Sequence, residues 1–139
     1  MWLFEDKEFV HDGEWYGFVY LIENLINGKK YIGRKYLTKA GYKTVKGKRK
    51  KIRIESDWDD YYGSSLALKT DIENLGKDNF KRTIIRLCKS RGECNYIETK
   101  MIFDYDAILD PNYYNNWVSC KIQASHVKAL LFNPEQETL

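Results

Sequence analysis

The chain has few of the residues that build disulfide frameworks or metal centres. Its 139 residues include three cysteines, Cys88, Cys94 and Cys120, and no pair of them has CxxC spacing. This odd, unpaired set excludes the usual patterns of a disulfide framework and of a tetrahedral zinc site, and it predicts free thiols. The two histidines, His11 and His126, have no helical i, i+4 relation, which excludes the usual pattern of a histidine-based metal site.

Long apolar runs are also missing. No stretch approaches the ~20 consecutive apolar residues of a membrane-spanning helix. Residues 1–13 carry acidic side chains where a secretory signal peptide has a basic region followed by an apolar one. We therefore expect no membrane association and an intracellular location.

The chain has the composition of a folded domain. Aromatic residues make up 15% and charged residues 31% of the sequence, values that fit a globular protein and not a disordered tail. A length of 139 residues provides one sizeable core and is short for two ordinary domains. We predict a single α+β domain over residues 1–139.

Residues 16–35 form the most distinctive segment, and its pattern predicts a β-hairpin. Both halves are rich in β-branched and aromatic residues, and Asn27-Gly28 between them accepts the positive φ angles of a tight turn. Tyr20 and Tyr31 are therefore expected on neighbouring strands. Aromatic cross-strand pairs are also common structural material, so the hairpin alone does not distinguish a site from an ordinary sheet edge.

A strongly basic segment begins within this hairpin. Residues 29–53 contain twelve lysines and arginines and no aspartate or glutamate. Such a block repels itself unless it faces a polyanion, so we predict contacts to DNA phosphates and binding that weakens as salt rises. The alternative is a solvated loop without a partner. Locally, we expect a loop over residues 38–47 and an extended segment over 50–54.

The remaining sequence predicts several helices and one further strand. The N-terminal segment is expected to add a short strand or to cover the sheet. Cap residues begin the helices, Gly76 ends one of them, and Pro111 cannot continue another. The predicted elements are a short helix over 56–62, a helix over 66–74, a strand over 80–88, a helix over 93–106 and a short helix over 123–132.

The hairpin resembles the signature of the GIY-YIG nucleases. Tyr31-Ile32-Gly33 matches the second triplet, whereas Phe18-Val19-Tyr20 keeps only the tyrosine of the first. The order of hairpin, basic connection, helix, strand and helix extends the resemblance over residues 16–116. The resemblance implies an α+β fold with a small central antiparallel three-stranded sheet flanked by helices. It also implies a core over about 16–116 and a C-terminal extension over 117–139.

The resemblance further implies a metal-dependent site. Members of the family hold one divalent metal with a single glutamate on the helix after the third strand. We assign Glu98 in preference to Glu93, because apolar residues surround its helical turn, and we expect Mg²⁺ or Mn²⁺. Tyr20 would serve as general base or orient the attacking water, and Tyr31 would assist through a hydrogen bond. A tyrosine has a pKa near ~10, so a role as base requires neighbouring cations, such as Arg34 or Arg53, that lower it.

The family also uses an arginine and an asparagine. The basic segment offers several candidates for the family's arginine. Arg53 is favoured because it precedes the predicted helix over 56–62, and Arg34 is second because it adjoins the glycine of the triplet. Arg49 is a further alternative. Asn115 follows a tyrosine, as the family's asparagine does. Its alternatives are Asn116 and a purely structural asparagine turn.

These assignments predict a phage-type GIY-YIG endonuclease of the homing or restriction kind, acting in the cytoplasm of a bacterial or phage-infected cell. It would hydrolyse phosphodiester bonds in one step, as a monomer or as a dimer formed on double-stranded DNA. The alternative is a non-catalytic nucleic-acid-binding module that keeps the fold. The predicted DNA-binding residues are Lys35, Lys48, Arg49, Lys50 and Lys51.

Overall fold

A computed structural model describes residues 1–118, 121, 123–127 and 130 of the protein. Its centre is a mixed five-stranded sheet, and the predicted α+β class is confirmed. The strands, numbered in chain order, are β1 (Leu3–Phe4), β2 (Lys7–Glu8), β3 (Gly17–Asn24), β4 (Lys30–Tyr36) and β7 (Phe80–Cys88), in the spatial order β2-β1-β7-β3-β4. Two further strands, β5 (Thr38–Val45) and β6 (Lys48–Glu55), form a separate two-stranded sheet.

The main sheet is wider than the three strands predicted. Strands β4, β3 and β7 form the expected antiparallel set, and β1 adds to its edge by pairing in parallel with β7 and antiparallel with β2. Trp2 is buried beside β1, and its ring centroid lies 4.8 Å from that of Phe18. The N-terminal segment therefore adds short strands, as expected, and it also contributes to the core.

The predicted tyrosine hairpin is formed by β3 and β4. Their register pairs Tyr20 with Gly33 and Ile22 with Tyr31. In the connection, Gly28 has φ = 77°, a value that favours glycine. The tyrosines therefore lie on neighbouring strands, two register positions apart.

The loop predicted over residues 38–47 is wrong, because this segment forms β5 and a turn. Strands β5 and β6 pair antiparallel along their full lengths, and the turn residues Lys46 and Gly47 have φ = 50° and 75°. Two positive φ angles are the requirement of a type I′ hairpin turn. Strand β5 is not predicted from sequence because polar residues occupy both of its faces, so it lacks the alternation of apolar and polar residues that indicates a strand.

Two α-helices flank the main sheet. Helix α1 (Leu66–Leu75) begins at Ser65, whose side chain accepts a hydrogen bond from the backbone N–H of Leu68. Helix α2 (Arg91–Asp104) begins in the same way at Ser90 and starts and ends two residues before its predicted range. Among the described residues, no helix combines the length and apolar character needed to cross a membrane.

The short helix predicted over 56–62 is not α-helical, and the one predicted over 123–132 is described only in part. Only a 3₁₀ turn, Trp58–Asp60, occupies the range 56–62, because the Ser56 hydroxyl donates a hydrogen bond to the Tyr36 carbonyl (2.6 Å) and does not cap a helix. Within the range 123–132, the structure has a 3₁₀ turn at Ala124–His126. Residues 128, 129, 131 and 132 of this prediction lie outside the described residues.

The core has two parts, one on each face of the sheet. Alternate residues of β3 point to opposite faces, so Phe18, Tyr20 and Ile22 pack towards α1 whereas Val19 packs towards α2. Cys88 and Cys94 are buried free thiols on the α2 side, as predicted. The third predicted thiol, at position 120, lies outside the described residues.

Candidate functional site

A cavity of about 560 Å³ opens beside β4, the edge strand of the main sheet. Side chains from both faces of the sheet meet around this strand, because no further strand of the described part of the chain covers its outer side. The lining includes most of the predicted catalytic residues, which come from β3, β4, α2 and the segment after α2. These residues are Tyr20, Tyr31, Arg34, Glu98 and Asn115.

Gly33 makes room for Tyr20 in this cavity. A Cβ atom on Gly33 would lie 2.3 Å from the hydroxyl oxygen of Tyr20 and 2.5 Å from its Cζ. The tyrosine side chain therefore lies directly over the glycine backbone on the neighbouring strand, and only 1% of Tyr20 is exposed. The glycine of the Tyr31-Ile32-Gly33 triplet is thus needed for packing and not for an unusual backbone angle.

Tyr31 is the more accessible of the two tyrosines. It is partly exposed, and its ring centroid lies 6.2 Å from that of Tyr20. Its hydroxyl oxygen is 2.9 Å from Ser64 Oγ, and the two groups share a hydrogen bond. Tyr31 therefore presents a hydroxyl to the cavity that is already oriented by a neighbour.

Both tyrosines are held in the protonated form. Burial raises the pKa of Tyr20 well above its ordinary value, and Tyr61, Tyr31 and Glu98 raise it further. Burial also raises the pKa of Tyr31, and the hydrogen bond with Ser64 and the charge of Arg34 oppose this shift only in part. The net lowering of the pKa that a role as base would require is absent, since desolvation is the larger effect at both residues, although the charge of Arg34 does lower the pKa of Tyr31.

Arg34 and Glu98 form an ion pair in the cavity. Nη1 of Arg34 donates to Oε1 of Glu98 at 2.6 Å. Burial raises the pKa of the Glu98 carboxyl, whereas the charge and hydrogen bonds of Arg34 lower it, and the net shift is upward. Burial alone lowers the pKa of Arg34, but Glu98 and Tyr36 raise it more strongly, so the guanidinium stays charged.

A second hydrogen-bonded group fixes the position of Arg34. Its Nε donates to the Tyr36 hydroxyl at 3.2 Å, and that hydroxyl donates to Asn95 Oδ1 at 2.8 Å. Asn95 lies one turn before Glu98 on α2. The guanidinium is therefore held between β4 and α2 by partners on both elements.

Arg53, the arginine favoured from sequence, is not brought to Glu98. Its Nη2 donates to the carbonyl oxygen of Thr38 at 2.7 Å, and its Nε and Nη2 also contact Thr38 Oγ1. Its guanidinium lies 5.5 Å from the Tyr16 ring. Arg53 is favoured from sequence because a helix is predicted over 56–62, and only the 3₁₀ turn Trp58–Asp60 lies in that range. Arg34 is the arginine that the structure places against the carboxylate.

The predicted DNA-binding residues lie in two places. Nζ of Lys35 is 2.5 Å from Asp57 Oδ1 and 4.1 Å from the centroid of the Tyr61 ring, at the wall of the cavity. The hydrogen bond from Lys35 is the main cause of a lowered Asp57 pKa. The other four residues are exposed on β6, away from the cavity lining: Lys48, Arg49, Lys50 and Lys51.

Asn115 binds the main chain of β4. Its Oδ1 accepts from the N–H of Ile32 at 3.0 Å, and its Nδ2 donates to the Ile32 carbonyl at 2.8 Å. Both polar atoms of the buried amide are therefore engaged. This geometry supports the structural alternative for Asn115, a residue that holds β4 in place beside the cavity, and leaves the exposed Asn116 on the cavity lining.

Sequence reasoning missed Tyr61 and Ser64. Both line the cavity, and the Tyr61 ring packs edge-to-face on Tyr20 at 6.1 Å. Gly63 between them has φ = 90°, and a Cβ there would meet the Tyr31 ring at 3.3 Å. A glycine flanked by tyrosines and serines was the available signal, but the sequence pattern around it was interpreted as a helix end and a new N-cap.

The cavity offers a limited set of metal ligands. Within the described residues, no cluster of three or more histidine, cysteine, aspartate or glutamate side chains could hold a metal ion. Glu98 is the carboxylate beside the tyrosines, and its hydrogen bond with Arg34 engages one of its two oxygens, Oε1. One carboxylate is sufficient for a Mg²⁺ or Mn²⁺ ion that keeps several waters and binds a substrate phosphate.

Comparisons with known proteins identify the family of the chain. A family model described as "Putative endonuclease segE, GIY-YIG domain" matches residues 2–118. A protein of Enterobacteria phage T4 named "Putative endonuclease segE" is 36% identical to the chain over 100 residues. The matched region covers 72% of the chain and 40% of that relative, so the chain spans less than half of the relative's length. No solved structure matches the chain.

Proposed function

Because the chain belongs to the segE-type GIY-YIG endonuclease family, we propose that it hydrolyses phosphodiester bonds of double-stranded DNA with the help of one divalent metal ion. The observation that carries this proposal is the convergence of Tyr20, Tyr31, Arg34 and Glu98 on one cavity. These four residues supply hydroxyls, a fixed cation and a carboxylate, which are the groups that phosphodiester hydrolysis requires.

Glu98 would hold the metal through its carboxylate. A bound Mg²⁺ or Mn²⁺ would supply Lewis-acid stabilisation of the charge that develops on the leaving 3′ oxygen. Because the pKa of Glu98 is raised, its carboxyl group ionises less readily in the absence of cations. The charge of Arg34 opposes that effect. The ion pair with Arg34 thus helps to keep Glu98 ionised.

The tyrosines would act as neutral hydroxyls. Their raised pKa values keep them protonated at neutral pH. Tyr31, which is partly exposed and hydrogen-bonded to Ser64, would orient the attacking water. The ring of buried Tyr20 would hold Tyr31 in position by packing against it. This assignment exchanges the roles that sequence reasoning gave to the two residues.

Arg34 would contact the phosphate on which the water acts. Its guanidinium has further N–H donors besides the one that binds Glu98, and a guanidinium matches the geometry of phosphate oxygens. Lys35 and Lys39 on the cavity lining would add positive charge beside it. One cavity cleaves one strand at a time, so a double-strand cut needs either two binding events or a second copy of the chain on the DNA.

The Arg34–Glu98 ion pair also supports a second candidate, a DNA-binding module that does not cleave. In this alternative, the 2.6 Å contact between Arg34 and Glu98 prevents a metal ion from binding the carboxylate. The two candidates differ in one respect only, which is whether a divalent ion gains access to Glu98.

A plasmid assay tests the proposal. Supercoiled plasmid is incubated with wild type, Glu98→Gln or Tyr31→Phe in Mg²⁺ or Mn²⁺, with EDTA in a parallel set. Glu73→Gln is the matched control, because Glu73 is exposed on α1. We expect cleavage by wild type and by the control, a loss of at least ~100-fold in Glu98→Gln and Tyr31→Phe, and none with EDTA. Equal cleavage by all variants would reject the site, and DNA binding without cleavage by any of them would favour the binding module.

A further inference from the structure

The two-stranded sheet of β5 and β6, which we call the ribbon, has a function that the catalytic cavity does not explain. We infer that the ribbon enters the major groove of duplex DNA and that its Tyr42–Arg49 face reads base edges. This inference rests on the proposed DNA substrate but not on cleavage.

Charge is the first argument for a polyanionic partner. Residues 38–55 contain eight basic residues and one acidic residue. Outside this range the acidic residues outnumber the basic ones, 19 to 15, although the whole chain has a net charge of +3. The positive charge of the protein is thus concentrated in the ribbon, which is where phosphates would be attracted.

Shape is the second argument. Eight-residue strands are roughly 25 Å long, and β5 and β6 pair only with each other. Most of their residues are exposed, and Tyr42 is 57% exposed. A two-stranded hairpin is marginally stable without a packing partner. The major groove of B-DNA has the width to admit a two-stranded β-ribbon.

The register divides the ribbon into two chemically different faces. Cross-strand partners share a face, so the pairs Tyr42↔Lys51 and Thr44↔Arg49 lie on one face, together with Arg53. The pairs on the opposite face contribute only lysines as charged residues: Lys39, Lys43, Lys48 and Lys50. Arginine, threonine and tyrosine are suited to specific hydrogen bonds, whereas lysine serves well as a point charge beside a phosphate.

Arg49 is the residue best prepared to read a base. Its guanidinium carbon lies 3.8 Å from the centroid of the Tyr42 ring, a cation–π contact on this face of the ribbon. Within the described residues, no hydrogen bond or ion pair uses its N–H donors, whereas those of Arg53 bind Thr38. An arginine that packs on an aromatic ring and has free donors suits bidentate contact with O6 and N7 of guanine.

The position of the ribbon limits which bases it can reach. Thr38 and Lys39 at its base line the catalytic cavity, and the turn at Lys46-Gly47 lies at the far end. A length of roughly 25 Å corresponds to about seven base pairs at ~3.4 Å each. The bases that Arg49 reads should therefore lie within about seven base pairs of the cleaved bond.

Selection from a random-sequence duplex library tests the inference. All variants are made in the cleavage-deficient Glu98→Gln background, so binding is measured independently of catalysis. Arg49→Ala is compared with Lys50→Ala, its neighbour on the lysine face, which loses the same charge. Tyr42→Ala is compared with Tyr42→Phe, which keeps the ring. Thermal melting checks that each variant is folded.

We expect the Glu98→Gln parent protein to enrich a preferred sequence that contains a G·C pair. In Arg49→Ala, the preference for that pair over other base pairs should be about tenfold weaker. Tyr42→Ala should weaken the same preference, and Tyr42→Phe should retain it. Lys50→Ala should lower affinity about equally for all sequences and reduce the salt dependence by about one counterion. Identical profiles for Arg49→Ala and Lys50→Ala, or no preference in the parent, would overturn the inference. If the selection succeeds but wild type cleaves no plasmid, only the proposed function fails.

Discussion

Gly33 has no space for a side chain, because Tyr20 occupies the position that its Cβ would take. We therefore expect Gly33→Ala to destabilise the fold by about 1–3 kcal/mol through overpacking and to displace Tyr20. Urea denaturation measures the free energy of unfolding. Gly41→Ala is the control: the three atoms nearest to its Cβ would all belong to Ile54, which lies at the surface (39% exposed) and has more room to shift than buried Tyr20. Equal losses in both variants would contradict this packing argument.

Glu98 predicts a pH dependence of cleavage. Burial raises its pKa above the ordinary value, so the folded protein binds this proton more tightly than the unfolded chain does. Its contribution to stability is therefore complete below the ordinary glutamate pKa and is lost as pH rises through the raised value. Metal binding requires the ionised form, so cleavage should fall as pH decreases through the raised pKa.

Arg34→Gln tests the cause of this shift. Arg34 lowers the pKa of Glu98, so its removal should raise the pKa further and move the acid limb of the pH–rate profile to higher pH. The profile of residual cleavage, measured with Mn²⁺, gives the midpoint. Lys100→Gln is the control, because Lys100 pairs with Asp104 on the same helix. A midpoint that stays unchanged in Arg34→Gln would show that the guanidinium does not set the ionisation of Glu98.

At the scale of elements, the segment after α2 protects the exposed edge of β4. The N–H of Tyr114 donates to the Lys30 carbonyl at 2.7 Å, and the N–H of Lys30 donates to the Asn112 carbonyl at 2.9 Å. Asn115 continues this contact with its two bonds to Ile32. An uncovered edge strand is open to pairing with other chains, so this segment completes the sheet while leaving the cavity accessible.

Replacement of Asn115 tests this element. Asn115→Ala leaves the N–H and C=O of Ile32 without partners in a buried position, which we expect to cost about 2–3 kcal/mol of stability. Asn116→Ala, at the exposed neighbouring position, should cost less than ~0.5 kcal/mol. Chemical denaturation of both variants makes the comparison. Full stability of Asn115→Ala together with complete loss of cleavage would instead indicate direct contact with substrate.

At the scale of the whole molecule, the ribbon carries the charge and the main sheet carries the site. Replacing residues 40–53 by a two-residue Asn-Gly turn removes seven basic residues and no acidic ones, so the net charge changes from +3 to a negative value. We expect DNA affinity to fall at least ~100-fold at 100 mM salt. The melting temperature should change by only a few degrees, because both core clusters lie outside the ribbon. Calorimetry and fluorescence anisotropy check the two outcomes. Unchanged affinity would show that DNA binds elsewhere.

Much of the fold could be predicted from local signals in the sequence. Gly28 in the connection of the hairpin, the N-cap at Ser65 and the apolar strand over 80–88 each help to specify their element through nearby residues, although the connection is longer than the tight turn that Asn27-Gly28 predicts. Strand β5 could not be predicted in this way, because neither of its faces is buried and its pairing with β6 follows from the turn. The prediction of a short helix over 56–62 is wrong for a different reason: the Ser56 hydroxyl bonds to the carbonyl of Tyr36 on β4 and does not cap a helix.

The sequence by itself determined that two tyrosines would lie on neighbouring strands and that a basic segment would follow them, because turn residues and charges act locally. The apolar residues around its helical turn favoured Glu98 over Glu93 as the glutamate that the family resemblance implies, and its role as a metal ligand stays a prediction. Only the tertiary structure decided which arginine meets Glu98, since Arg34 and Arg53 are equivalent cations until the sheet edge and α2 come together. The protonation of Tyr20 and Tyr31 was likewise decided by burial, which depends on the packing of residues distant in the chain.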